Sequence, residues 1–247
     1  MASFLKRSTA RNKEIKERFR RGEVVTLIHS SHTSASLVEK LGEFGFDSVL
    51  IDCEHGSAGP REVEEMARAA NLANMVSIVR PEESLPWLVT RYIECGADGV
   101  MLPLIPNATV AQSLVDRLRF SAPFDHEDRF VILMIETIEA VNNLPEIMKV
   151  EGVDAYLVAP GDLALTIGSV PITYEWQKGK RPKEVDVVVD RAIRTIVDAG
   201  KVCGTLVNRG DVQSYIEKGV RLVYDHANHM MARGARDFLG HIKDVMV

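Results

Sequence analysis

The chain reads as a (β/α)8 barrel, an α/β fold in which eight parallel strands each lead into a helix. Three observations predict it. Short apolar runs alternate with amphipathic helical runs eight times. Glycines 45, 96, 152, 200 and 219 fall just after a helical run and before the next apolar run, where a C-terminal helix cap belongs. The 247 residues match the roughly 250 that one such barrel uses. A doubly wound open sheet is the alternative, and it would use fewer strands for this length.

The first apolar run, Val24–His29, precedes a helix over Ser34–Phe44 in which Leu37, Val38, Leu41 and Phe44 share one face. Runs at Phe46–Ile51, Val76–Val79 and Gly99–Leu104 precede helices over Arg61–Ala73, Leu85–Cys95 and Thr109–Phe120. Phe130–Ile135 leads to Ile138–Val150, and Ala155–Val158 leads through an insertion to Val185–Ala199. Val202–Val207 and Arg221–Tyr224 precede the last two helices, Gly210–Lys218 and Met230–Val245. The runs are apolar throughout, as expected of strands covered on both faces. Residues 1–247 therefore read as one barrel domain. Two stretches break the rhythm: the charged connector Ser121–Asp128, and the insertion 169–184 after strand six, which carries Trp176 and reads as a lid or subunit contact.

A net charge of −5, with 30 Lys+Arg against 35 Asp+Glu, argues against a general nucleic-acid binder. No apolar run approaches the 18 or so residues of a membrane span. Cys53, Cys95 and Cys203 have neither disulfide nor metal spacing, which fits a reducing cytoplasm, and Cys53 reads as an inert packed thiol. The basic N-terminal stretch lacks an apolar core and interleaves Glu14, Glu17 and Glu23, so it reads as a solvated helix rather than a targeting signal.

In a barrel, chemistry belongs at the carboxyl ends of the strands. Five strands end in ionisable residues: Asp52-Cys53-Glu54-His55, Arg80, Glu136, Gly161-Asp162 and Asp225-His226. Glu136 and Asp162 come from neighbouring strands, and two carboxylates that close call for a shared proton or a cation. Oxygen ligands alone favour a hard divalent ion. The alternative is that each carboxylate serves its own loop, with Asp162 as a helix N-cap. His55 follows Asp52 by three residues, so Asp52 could hold its ring in one tautomer for proton transfer; a structural or exposed histidine is the competing reading. Arg80 could grip a substrate carboxylate with two prongs or pair with Glu54. Asp225, His226 and His229 read as a wet loop, and Lys178–Lys183 as a solvated run. No phosphate-binding glycine loop, nucleophile elbow or strand-end lysine occurs.

The segments FGFDSVLIDCEHG, VSIVRP, GADGVMLPLI and ILMIETIEAVNNLPEIMKVEGVDAYLVAPGDLALTIG resemble the HpcH/HpaI aldolases, metal-dependent class II pyruvate aldolases. The likeness runs from about Arg11 to the C-terminus. It implies that Glu136 and Asp162 bind Mg²⁺, Mn²⁺ or Co²⁺. It also implies that Arg80 and the backbone at Gly161 and Asp162 hold the pyruvate carboxylate, and that His55 with Asp52 handles the proton. The implied reaction is aldol cleavage of a 4-hydroxy-2-oxo acid to pyruvate, or a related 2-oxo acid, and an aldehyde. The implied assembly is a hexamer, a trimer of dimers, with the last helix packed on a neighbouring subunit. Three positions depart from the family pattern: Met134 stands where a glutamine usually does, Ala159 and Ala164 alter the usual GPxDLS, and SAPFDHEDR replaces a PPxGxRG stretch. A CoA-thioester lyase of the citrate lyase β type, a 2-oxo acid decarboxylase and a non-catalytic barrel are the competing functions.

Overall fold

The computed structural model describes residues 2–169 and 182–245. All eight strands are parallel and pair in sequence order, and β8 closes onto β1. The closed barrel replaces the open-sheet alternative. The strands are β1 (Val25–His29), β2 (Ser48–Asp52), β3 (Val76–Arg80), β4 (Gly99–Leu102), β5 (Phe130–Ile135), β6 (Ala155–Val158), β7 (Cys203–Leu206) and β8 (Leu222–His226). The helices are α1 (Ala2–Arg20), α2 (Ala35–Glu43), α3 (Pro60–Leu72), α4 (Pro86–Glu94), α5 (Ala108–Ser121), α6 (Ile138–Ile147), α7 (Pro160–Thr166), α8 (Lys183–Asp198), α9 (Val212–Glu217) and α10 (Ala227–Val245). The short helix α7 directly follows β6 and lies before the insertion 169–184; its seven residues, about two turns, are too few to show a period. Residues 170–181, including Trp176 and most of the Lys178–Lys183 run, lie outside the described residues.

Local chemistry sets the helix starts. Ser34, Asn107 and Thr137 accept the N–H groups of Leu37, Val110 and Ala140 and so cap α2, α5 and α6. α2 and α4 end in left-handed glycines, Gly45 and Gly96, with φ of +93° and +96°. Gly99 has a different reason: a Cβ there would sit 2.4 Å from that of Phe130, its partner across β4 and β5.

Period-two alternation divides the strands. Inward residues Val25, Leu27, Leu50, Ile78, Ile132, Met134, Leu157, Leu222 and Tyr224 fill the barrel, and the outward residues pack under the helices. One more step of two along β1, β2, β3, β5 and β8 brings His29, Asp52, Arg80, Glu136 and His226 to the carboxyl mouth. The barrel therefore positions these five polar residues as the next layer above its apolar filling.

The amino end is closed by α1, which corrects the solvated reading of that helix. Ile15 is buried in the barrel-filling cluster. Arg11 pairs with Asp98 at 2.6 Å, Lys16 with Asp154 at 2.8 Å, and Arg18 with Asp47. Each of these aspartates precedes an even-numbered strand and also accepts a backbone N–H from the strand before it: Asp47 from Thr26, Asp98 from Ser77 and Asp154 from Val131. These three basic residues are thus matched by a ring of carboxylates beneath the barrel, Asp98 buried and Asp47 and Asp154 part-buried. At the other end of the chain, α10 exposes Met231, Phe238, Leu239 and Ile242.

Removing one member of a buried pair strands the other charge. An Arg11→Ala substitution is expected to lower the unfolding free energy by about 3 to 5 kcal/mol. Breaking the exposed Lys40–Glu43 pair by Lys40→Ala is expected to change it by less than about 1 kcal/mol. Urea unfolding of both variants measures the difference.

Candidate active site at the barrel mouth

Asp52 and Arg80 face each other in register across β2 and β3, and both are buried. Arg80 donates from Nε to Asp52 Oδ1 at 2.8 Å and from Nη2 to Oδ2 at 2.5 Å. His29 Nε2 lies 3.2 Å from the same Oδ2, and the backbone N–H groups of Glu54 and His55 donate to Oδ1. Burial alone would raise the Asp52 pKa, but the donors from His29 and Arg80 outweigh it and hold the carboxylate well below its usual range. The ionised Asp52 in turn outweighs the effect of burial on Arg80 and raises the guanidinium further.

The expected Asp52–His55 side-chain pair is not made. Asp52 touches the His55 backbone, while the His55 ring is 66% exposed with Nε2 3.8 Å from Glu54 Oε2. The carboxylate already accepts from Arg80, His29 and two backbone N–H groups, one of them that of His55, and the His55 ring is turned to solvent. His29 is the imidazole that sequence reading missed. Its signal was present: the strand-end rule, applied to β1 as to the other strands, selects it. Arg80 is also less open than a mouth residue, since Nη1 lies 3.0 Å from Glu54 Oε2 and 3.9 Å from the sulfur of Met134. The Glu54 contact is off the N–H direction, so Oε2 has charge proximity without an aligned hydrogen bond. Burial raises the Glu54 pKa against the pull of Arg80.

Glu136 follows β5 and is 2% exposed. The Leu104 backbone N–H donates to its Oε1 at 2.5 Å, and Leu104 holds φ of +51° to do so. Burial, with help from the charges of Asp162 and Glu54, pushes Glu136 up to about 7 despite that donor. Asp162 sits in the first turn of α7, two residues beyond the first helical position, and makes no cap hydrogen bond; the N-cap position belongs to Ala159. The N-cap reading of Asp162 is thus replaced, and its charge reaches Glu136 instead. The backbone N–H groups of Gly161 and Asp162 fall in the turn whose donors have no partner within a helix.

The wet-loop reading of Asp225, His226 and His229 is also corrected. Asp225 and His226 are in β8, and Asp225 accepts from Arg233 at 2.7 Å and contacts His229 Nδ1 at 2.9 Å. His226 reaches across to His29, Nδ1 to Nδ1 at 3.0 Å, at the register point where β8 closes on β1. Its ring lies 4.7 Å from that of His229. Burial and the two neighbouring imidazoles hold the His226 pKa down to about 3. Cys53 is packed as expected, and burial raises its thiol to about 11.

A family model for the HpcH/HpaI aldolases and citrate lyases matches residues 26–235. The chain belongs to the HpcH/HpaI aldolase/citrate lyase family. It is 28% identical over 232 residues to a hydroxypyruvate/pyruvate aldolase of Agrobacterium fabrum, covering 82% of this chain and 85% of that one. It is 26% identical over 246 residues to the 2-keto-3-deoxy-L-rhamnonate aldolase of Escherichia coli, covering 90% of each chain. A crystal structure of an HpcH/HpaI family protein from Burkholderia cenocepacia J2315 superposes with a TM-score of 0.82 at 26% identity, covering 93% of this chain and 99% of that one. The strand-end acids and Arg80 lie inside the matched range, and so do His29 and His226.

The Glu136 burial has a measurable sign. Its folded pKa of about 7 lies above the ordinary 4.5, so the folded state holds the proton more tightly. The protein should therefore lose stability as pH rises from about 4.5 to about 7, by at most roughly 3 kcal/mol. A Glu136→Gln variant should lack that slope, and urea unfolding of both proteins in EDTA at pH 5 and pH 8 compares them.

Proposed function

We propose that this chain is a class II aldolase that interconverts a 4-hydroxy-2-oxo acid with pyruvate, or a related 2-oxo acid, and an aldehyde. Membership of the family and the names of its aldolase relatives support the reaction class. The observation that carries the reading is the charge imbalance at the mouth. Arg80 is matched by Asp52, which leaves Glu54, Glu136 and Asp162 as three further acids with mutual repulsion.

The donor set fits a hard divalent ion. Glu136 keeps one oxygen beyond the Leu104 contact, and Asp162 makes no cap hydrogen bond. Two carboxylates would leave the other positions of such an ion to water and substrate. Glu136 and Asp162 would hold Mg²⁺, Mn²⁺ or Co²⁺, and the ion would supply Lewis acidity to the keto oxygen of the bound 2-oxo acid.

Arg80 orients the substrate carboxylate. Its Nε and Nη2 are spent on Asp52, so Nη1 is the prong that exchanges Glu54 for substrate. The Gly161 and Asp162 N–H groups are the second donor to that carboxylate. Met134 packs beneath the guanidinium and fixes its height without offering a hydrogen bond to the keto oxygen. In cleavage, His55 takes the C4 hydroxyl proton, the C3–C4 bond electrons pass to the enolate, and the same ring returns the proton to C3. The exposed apolar face of α10 serves as a subunit contact in a homo-oligomer.

The purified chain should release pyruvate from 4-hydroxy-2-oxo acids, and EDTA should abolish the release. Arg80→Lys keeps the charge but cannot hold Asp52 through two N–H groups while offering a third to the substrate. It should lower kcat/KM at least about a hundredfold, a loss of about 2.7 kcal/mol, with the melting temperature checked in parallel. Turnover that survives EDTA, or a conservative variant with unchanged kinetics, contradicts the assignment.

A further inference from the structure

One side of the mouth is not used by the acids. On the β8–β1–β2 side, His29 and His226 meet on the inward face, and His29 and Ser31 also line a recess between the loops after β1 and β2. Asp52 anchors the pair: the ionised carboxylate accepts from His29 Nε2–H. His29 Nδ1 then stands within hydrogen-bond distance of His226 Nδ1, and the other ring nitrogen of His226 is left to meet a ligand. Burial keeps that ring uncharged across the physiological range. Ser31 Oγ stands 3.2 Å from His29 Nδ1, and the Ser31 backbone is held at φ of +62°, a conformation that a serine adopts at a cost. The recess adds the hydroxyls of Ser30, Thr33 and Ser57, and no Lys or Arg lines it.

These groups fit one class of ligand. A hydroxyl both donates and accepts, and so matches neutral imidazole and serine, which do the same. A carboxylate offers acceptors only, and here it would meet Asp52 with no free cation, since Arg80 is committed to Asp52 and, in the proposed reaction, to the carboxylate of the 2-oxo acid. An alkyl chain would leave the buried polar atoms of the pair without partners.

We propose that the His29–His226 pair and the serine-lined recess beside it form the subsite for the aldehyde partner, and that the subsite selects a neutral aldehyde bearing hydroxyl groups. The inference rests on the aldolase reading and names the substrate class for the same mouth. His226 acts by holding the partner aldehyde, and His29 acts through His226 and Asp52 as a positioning residue.

The test uses the full chain with Mn²⁺ and separates the two readings. Deuterium exchange at C3 of pyruvate, followed by NMR without any aldehyde, reports enolate formation alone. Condensation of pyruvate is then compared with glyceraldehyde, propanal and glyoxylate, which carry hydroxyls, neither group and a carboxylate respectively. The parent protein should favour glyceraldehyde over both others in kcat/KM. His226→Phe should cut the glyceraldehyde-to-propanal ratio about tenfold or more, chiefly through KM for glyceraldehyde, and His226→Gln should restore most of it. Dividing variant by parent cancels the intrinsic reactivity of each aldehyde. Ser31→Ala should move the ratio in the same direction and serves if His226→Phe does not fold. A parent preference for glyoxylate or propanal overturns the subsite, as does a ratio unchanged in both variants. Absence of C3 exchange in the parent overturns the aldolase reading and the subsite with it.

Discussion

Five hydrogen-bond donors converge on the Asp52 carboxylate: two from Arg80, one from His29 and two from the backbone of the following turn. That convergence ties three strands and one loop together at the level where the apolar filling stops. Burying one carboxylate and one guanidinium is costly, and the attraction between them repays the cost only when the remaining lone pairs are satisfied. Here both carboxylate oxygens are satisfied, so the geometry of Arg80 is fixed before any ligand arrives. A preset guanidinium loses little freedom on binding, and for that reason a site can hold a small anion with few contacts.

The same device recurs at the opposite end with a different purpose. Asp47, Asp98 and Asp154 each take a strand N–H from below and a cation from α1. They stand before β2, β4 and β6, so the three contacts are spread around the barrel rather than clustered. A helix tied at three such points closes the amino end and shields the filling there from water. The two ends thus divide the work of the fold: below, charges are matched in pairs and contribute stability; above, acids outnumber bases and the imbalance is available for binding.

Much of this was legible in the sequence because two rules have short range. Period-two alternation and glycine caps are local, and they placed all eight strands within two residues of their ends. The strand-end rule brought Asp52, Arg80 and Glu136 to one mouth because strand ends must meet once the barrel closes. What failed was pairing, which is not local. Asp52 was assigned to His55, its neighbour in sequence, but the β2 side chain turns toward the adjacent strands and finds Arg80 and His29. Asp225 and His226 looked like loop residues because β8 ends on polar side chains, yet closure against β1 buries them. The α1 anchors left a trace that local reading does not weigh. Gly-x-Asp recurs at Gly45-Phe46-Asp47, Gly96-Ala97-Asp98 and Gly152-Val153-Asp154, a left-handed glycine followed two residues later by the acid that pairs with α1.

The mouth is therefore split by charge, and Arg80 with Asp52 is the divide. On one flank Glu54, Glu136 and Asp162 crowd negative charge until burial and mutual repulsion lift Glu136 toward neutrality. On the other, His29, His226 and Ser31 offer hydrogen bonds from imidazole and hydroxyl groups, and burial keeps His226 uncharged. A cation and the anionic half of a substrate are stabilised only on the first flank, because a doubly charged ion needs the acids and a carboxylate needs that ion or Arg80. The neutral half of the same substrate is best placed on the second, where the imidazoles would lose hydrogen bonds to any group that cannot return them. In the proposed reaction one substrate would lie across the guanidinium, with its carboxylate toward a cation held by the acids and its hydroxylated end toward the histidines, and so would satisfy both flanks at once. The reversed orientation satisfies neither.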